Sequence, residues 1–207
     1  MNCNNVLLIA SSYIRLKFDD QIYHLDLPKN ILKHGVVINY DQFLHKYLQL
    51  FNRNKLSKAF WKRKIKIIYN VLNTENDVTN LYNLFRDLNY REINLVNEKH
   101  EIKISQKDNY LIVDQTLRLF YIDKYNVKKV MILDKELYYP HEIRLLVTNR
   151  SLNKNLIIVG NCPKEILSSK INYYLIDDLN EFFLKIWLKE NKDLNKKWPE
   201  KCRILAH

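Results

Sequence analysis

The stretch IKIIYNVLNTENDVTNLYNLFRDLNYREINLV, from Ile65 to Val96, changes its hydrophobic period twice and thereby decides the fold class. Its first residues, Ile65 to Tyr69, form a short apolar run that is typical of a buried strand. Thr74 and Asp77 then have the spacing of a capping box, with Asp in place of the usual Glu or Gln. The apolar residues that follow fall at helical spacing, at Val78, Leu81, Leu84, Phe85 and Leu88. Because Ile93 to Val96 returns to a strand pattern, the stretch predicts a strand–helix–strand unit of an α/β protein.

The same alternation continues on both sides of this stretch and occurs twice along the chain. The first half is predicted to contain three strands, a further extended piece and a helix before Ile65, at Val6–Ala10, Ile14–Phe18, Ile22–Leu27, His34–Ile38 and from Asp41 onward. The second half is predicted to contain three strands, a helix, a strand, a short helix, a strand and a last helix, at Asn109–Asp114, Leu117–Ile122, Val127–Leu133, Pro140–Val147, Leu156–Val159, Pro163–Ser168, Tyr173–Ile176 and after Asp177 or Asp178. We therefore expect two similar halves, residues 1–104 and 105–207.

Composition narrows the class of protein. The chain has 207 residues, of which 47% are hydrophobic, so it can bury one sizeable core or two small ones. Its three cysteines, Cys3, Cys162 and Cys202, have neither zinc spacing nor the pattern of a disulfide framework. The N-terminus lacks a basic signal-peptide region, and no stretch approaches the length of a membrane span. We expect a cytoplasmic protein without a metal site, which reaches a membrane only through a partner or through charge.

Three segments resemble the actin-like ATPase superfamily, in particular PilM, FtsA and MreB. They are LDLPKNILKHGVVINYDQFLHKYLQLFNRNKL (Leu25 to Leu56), NYLIVDQTLRLFYID from Asn109, and NLIIVGNCPKEI from Asn155. The second lies where that superfamily has its second phosphate loop, and the third where it has its adenosine loop. The resemblance implies a fold of two actin-like (RNase H-like) halves. The connections at residues 19–33 and 134–150 are too short for the outer subdomains, so it implies a reduced form with the inner subdomains alone.

The loops that would bind a nucleotide in this superfamily have lost most of their glycines. The chain holds only Gly35 and Gly160, whereas backbone amides approach a phosphate closely where no Cβ intrudes. The resemblance places vestigial nucleotide-loop positions at Ser11, Ser12, Asp114, Thr116 and Gly160. A lone Asp cannot hold both Mg²⁺ and an attacking water, and Asp114 is equally explained as a strand-end acceptor of a turn hydrogen bond. We therefore predict no ATPase activity and no cofactor, with residual nucleotide binding as a minor alternative.

A basic run with aromatic residues is the candidate partner surface. The formal net charge is +11, and the densest run is KLSKAFWKRKIK, Lys55 to Lys66. Arg and Trp are common at binding hot spots, so the candidate partner-binding residues are Lys58, Trp61, Lys62, Arg63 and Lys64. The C-terminal helix with Trp187 and Trp198 is the next candidate. The same run is equally explained as a solvated connection between a helix and a strand, with Trp61 in the core.

Two functions follow from these features. The resemblance implies a non-catalytic scaffold or adaptor in a bacterial membrane-associated assembly, such as a type IV pilus or type II secretion platform, the division machinery or the cell-shape machinery. Its partners would be cytoplasmic tails of inner-membrane proteins, with self-association as a further mode. The alternative is a basic nucleic-acid-binding protein, in which the aromatic residues of the run stack on bases and its cations neutralise phosphates. The two differ in salt dependence, which is steep for nucleic acid.

Overall fold

The computed structural model describes residues 5–18, 21–53, 64–102, 107–134 and 136–176. The chain divides into two compact units, one up to His100 and one from Glu101. The boundary expected between residues 104 and 105 falls in 103–106, outside the described residues. The turn expected at Asp19 and Asp20 and the last helix expected after residue 177 also lie outside them.

Unit 1 is a five-stranded sheet with two helices packed against one face. Its elements are β1 (Asn5–Ile9), β2 (Tyr13–Phe18), β3 (Gln21–Asp26), β4 (Leu32–Lys33), β5 (Val36–Val37), α1 (Tyr40–Arg53), β6 (Lys64–Tyr69), α2 (Glu75–Asp87), β7 (Glu92–Asn97) and the short α3 (Glu98–Glu101), which ends just past the unit boundary. The sheet order is β3-β2-β1-β6-β7, with antiparallel β1–β2–β3 and parallel β1–β6–β7. The central strand β1 is buried along its whole length, as expected of a strand with parallel neighbours.

Unit 2 repeats this order. Its elements are β8 (Asp108–Val113), β9 (Leu117–Ile122), β10 (Lys128–Leu133), α4 (Pro140–Ser151), β11 (Asn155–Gly160), a 3₁₀ turn (Lys164–Ile166) and β12 (Asn172–Ile176). The sheet order is β10-β9-β8-β11-β12, again with an antiparallel hairpin on one side and parallel strands on the other. Two sheets of identical order and direction confirm the predicted fold class of two actin-like halves. The connections 27–39 and 134–139 hold nothing larger than the β4–β5 hairpin, which agrees with the reduced form.

Local sequence signals explain where the helices begin. Thr74 N–H donates to the Asp77 carboxylate at 2.8 Å, and Asp77 N–H donates back to the Thr74 hydroxyl at 3.3 Å. The predicted capping box is thus present at the start of α2. Pro140 occupies the first turn of α4, where its missing N–H has no intrahelical acceptor to lose.

Aromatic side chains fill the core of unit 1 between the helices and the sheet. Tyr47 of α1 packs edge-on to Phe85 of α2 with ring centroids 5.2 Å apart. Its hydroxyl lies 2.7 Å from that of Tyr90, and both residues are buried. Burial raises the pKa of Tyr47 well above its usual value. The apolar face predicted for α1 is therefore the face that covers the sheet.

Two predicted elements differ in detail. The extended piece expected at His34–Ile38 is instead the hairpin of β4 and β5, because His34 and Gly35 both have positive φ, 52° and 83°, and reverse the chain. The short helix expected at Pro163–Ser168 is a single 3₁₀ turn at Lys164–Ile166. The sequence pattern did not predict α3, which is too short to show a helical period.

Candidate functional site

In unit 1 the candidate site is the turn between β1 and β2, which holds Ser11 and Ser12. The turn closes with a 3.0 Å hydrogen bond from Ala10 N–H to the Tyr13 carbonyl. The Ser11 carbonyl accepts from Gly35 N–H at 3.1 Å, and the Ser12 carbonyl accepts from Leu27 N–H at 2.8 Å. A phosphate cradle needs convergent N–H groups. This turn instead presents carbonyl oxygens that the chain's own amides occupy.

Gly35 serves packing within unit 1. It has φ of +83°, and a Cβ there would lie 2.6 Å from Cβ of Asn70 and 2.8 Å from its Nδ2. Asn73 Nδ2 donates to the Gly35 carbonyl at 2.9 Å and to the Asn70 carbonyl at 3.1 Å. The loop after β6 thus lies directly against the β4–β5 hairpin. One of the chain's two glycines is required by this close approach of protein to protein.

In unit 2 the candidate site is the turn between β8 and β9, which holds Asp114 and Thr116. Asp114 N–H donates to the Thr116 carbonyl at 3.1 Å, and Thr116 N–H donates to Oδ1 of Asp114 at 3.0 Å. The turn hydrogen bond that the sequence suggested for Asp114 is therefore present. It fixes the carboxylate over its own turn, as Asp commonly does at strand ends.

Arg118 on β9 holds the other valences of that carboxylate. Its Nη1 donates to Oδ1 of Asp114 at 3.0 Å and to the Thr116 hydroxyl at 2.8 Å, and its Nη2 donates to Oδ2 at 2.9 Å. The side chains of Arg118 and Asp114 are 2% and 9% exposed. This is a bidentate ion pair withdrawn from water. A Mg²⁺ ion needs carboxylate oxygens, and here it would have to displace a buried guanidinium.

The sequence analysis missed Arg118, although a signal for it exists. Arg118 stands between Leu117 and Leu119 in an otherwise apolar strand. Arg is almost never fully buried unless it is paired. An Arg in a buried strand, four residues after an Asp at the preceding turn, therefore predicts an ion pair across that turn.

Gly160 ends β11 beside this turn. It pairs in register with Val113, the residue before Asp114, and it is buried with φ of +93°. Thus Asp114, Thr116 and Gly160 lie at the carboxyl edge of one sheet, the edge at which open α/β sheets bind ligands. Ser11 and Ser12 belong to the corresponding edge of the other unit.

Of the candidate partner-binding residues, Lys64 alone is described. Its ammonium lies 2.7 Å from Oε1 of Glu92, the residue opposite it in the parallel β6–β7 pair, and both side chains are partly exposed. Lys58, Trp61, Lys62 and Arg63 lie outside the described residues, as do Trp187 and Trp198. Partner binding by this run stays a prediction.

Searches for membrane spans and metal sites found neither within the described ranges. None of the helices there is long and apolar enough to cross a membrane. In the same part of the chain, no three His, Cys, Asp or Glu side chains come together as metal ligands would.

Comparisons with known proteins give similarity of fold at low sequence identity. No protein-family model matches the chain, and no curated protein sequence is significantly similar to it. Similar solved structures are MreB 5 of Spiroplasma citri bound to AMPPNP, with 12% identity, a TM-score of 0.45 and coverage of 73% of this chain and 59% of that chain. The ethanolamine utilization protein EutJ from Carboxydothermus hydrogenoformans has 10% identity, a TM-score of 0.45 and coverage of 70% and 56%. MreB5 of Spiroplasma citri bound to ADP has 14% identity, a TM-score of 0.43 and coverage of 70% and 56%. The chain therefore spans less than two thirds of the length of these proteins.

Proposed function

We propose that this chain is a non-catalytic scaffold or adaptor with an actin-like fold, which binds protein partners in a bacterial membrane-associated assembly. The ion pair between Asp114 and Arg118 is the single observation that carries the proposal. It satisfies, from within the chain, the carboxylate that would otherwise organise a metal and a nucleotide phosphate.

The turn in unit 1 supports the same conclusion independently. The carbonyls of Ser11 and Ser12 accept backbone amides, and Gly35 packs against Asn70. Each half thus closes its own loop with protein groups. A fold that needs no ligand to satisfy its loops is suited to presenting surfaces. The assembly is a type IV pilus or type II secretion platform, the division machinery or the cell-shape machinery, and the protein acts in the cytoplasm at the inner face of the membrane.

Nucleotide titration tests the non-catalytic part of this proposal. Purified chain is dialysed against labelled ATP with Mg²⁺, and phosphate release is followed in parallel. We expect no binding at millimolar nucleotide and no release above that of buffer. Micromolar affinity or turnover that disappears in Asp114→Ala would overturn the proposal, because it would show that the carboxylate still serves a nucleotide.

Capture from membrane extract tests the adaptor part. Wild-type chain is compared with a variant in which Lys62, Arg63 and Lys64 are all replaced by Ser. We expect the wild type to retain a defined inner-membrane protein. Retention of nucleic acid alone, lost at high salt, would instead favour the nucleic-acid-binding alternative.

A further inference from the structure

Unit 2 carries an exposed apolar surface on α4 and on the loop that precedes it. Among the described residues, eight of the eleven exposed large hydrophobic side chains lie between Tyr125 and Leu152. Five residues in this region form what we call the α4 surface, namely Leu137, Tyr139, His141, Leu145 and Leu152. Leu137 is 77% exposed, Tyr139 70% and Leu145 57%.

Helix geometry and one ring contact make this surface continuous. At about 100° per residue, His141, Leu145 and Leu152 fall within about 40° of one another around the axis of α4. The rings of Tyr139 and His141 stack with centroids 6.1 Å apart. A turn hydrogen bond from Leu137 N–H to the Asp134 carbonyl at 3.3 Å folds the loop back beside the start of the helix. The surface therefore runs from the loop along the outer side of α4.

The core does not require these apolar side chains. The inner side of α4 already buries Ile143 and Val147 against the sheet of unit 2. Scattered exposed apolar residues are ordinary, whereas a contiguous set beside polar residues marks an interaction site. Leu145 and Leu152 thus give α4 a second apolar side, available for a partner.

The charge around the surface selects the partner. Three carboxylates, those of Asp134, Glu136 and Glu142, lie at its loop end, although the whole chain has a net charge of +11. Glu142 Oε2 accepts from Tyr139 N–H at 3.1 Å, which holds one carboxylate beside the stacked rings. Arg144 lies on the flank, about 100° around the helix from Leu145. The loop end is therefore an acidic site on a basic protein, and it complements a cationic segment.

We propose that the α4 surface docks a short amphipathic segment in which apolar side chains at helical spacing are accompanied by Lys and Arg. This rests on the proposed function and specifies its partner. Cytoplasmic segments next to membrane spans carry an excess of Lys and Arg, so a tail of an inner-membrane protein has the required charge. Its apolar side lies on Leu137, Tyr139 and Leu145, as in other contacts in which an amphipathic helix buries one face.

Fluorescence anisotropy with designed peptides tests the proposal. The probe is a labelled peptide of about four helical turns made only of Leu and Lys at amphipathic spacing, and its counterpart replaces Lys with Glu. We expect the full chain to bind the Leu/Lys peptide and not the Leu/Glu peptide, although the net charge of the chain favours the opposite. The Leu137→Ser, Leu145→Ser double variant should weaken binding by on the order of tenfold or more. Glu136→Lys should weaken it by a smaller factor.

Ile38→Ser is the matched control, because Ile38 is an exposed apolar residue of unit 1. It should leave the affinity unchanged. Equal binding by the wild type and the Leu137, Leu145 double variant, preference for the Leu/Glu peptide, or no binding of either peptide would overturn the proposal. So would a wild-type dimer in sedimentation that excludes the peptide and is lost in the double variant, because a second copy would then be the occupant. Failure here leaves the ATP titration unaffected, whereas micromolar ATP binding with intact peptide docking would overturn only the non-catalytic function.

Discussion

Replacing Arg118 with Met should destabilise unit 2 strongly. Met keeps much of the apolar stem of Arg but removes two hydrogen bonds to Asp114 and one to Thr116. Because Asp114 is only 9% exposed, its charge would be left without that cation in a poorly hydrated position. Breaking a buried pair in this way costs about 3–5 kcal/mol. For a unit of about one hundred residues, a loss of about 3 kcal/mol lowers the melting midpoint by at least about 12 °C.

Hydrogen–deuterium exchange and urea unfolding measure this effect. We expect faster exchange in β8 and β9 and an earlier unfolding transition in urea, since the loss belongs to unit 2. Asp114→Asn added to Arg118→Met should recover most of the stability, because no unpaired charge remains. Arg86→Met is the control, since Arg86 is 61% exposed and its loss should cost no more than about 0.5 kcal/mol. The reasoning is refuted if Arg118→Met behaves like Arg86→Met, or if the double variant is no more stable than the single one.

Two further predictions concern other buried groups. Gly35→Ala should destabilise unit 1 by more than about 1 kcal/mol in urea unfolding, because a Cβ collides with Asn70 and φ is +83°; a loss no larger than that of Asn153→Ala, at an exposed turn with φ of 63°, would contradict the collision. Burial raises the pKa of Tyr110 to about 12, so the folded state keeps a proton that the unfolded chain releases near pH 10, and stability should fall by about 2–3 kcal/mol between about pH 10 and 12. Tyr110→Phe should flatten that fall in pH-dependent unfolding, whereas Tyr125→Phe at an exposed turn should not, and an unchanged slope in Tyr110→Phe would show that another group causes it.

Local patterns were sufficient to predict the order of elements. The switch of period between Ile65 and Val96 predicted β6, α2 and β7, and the capping box of Thr74 and Asp77 predicted where α2 begins. These signals depend on residues a few positions apart, so they survive without knowledge of the fold. The hairpin at His34–Gly35 was wrongly predicted as one extended piece, because positive φ at a non-glycine residue has no reliable local signature.

The candidate site shows the opposite relation. The sequence by itself determined that the phosphate loops lack glycine and that Asp114 ends an apolar strand. Only the tertiary structure decided what Asp114 binds, because the β8–β9 hairpin brings Arg118 across the turn and burial then makes the ion pair strong. In the same way, the contact between Gly35 and Asn70 joins residues far apart in the chain, and the exposure of Leu145 depends on which side of α4 the sheet covers. Hydrophobic periodicity reports the side of an element that is apolar, whereas packing decides which apolar side is left for a partner.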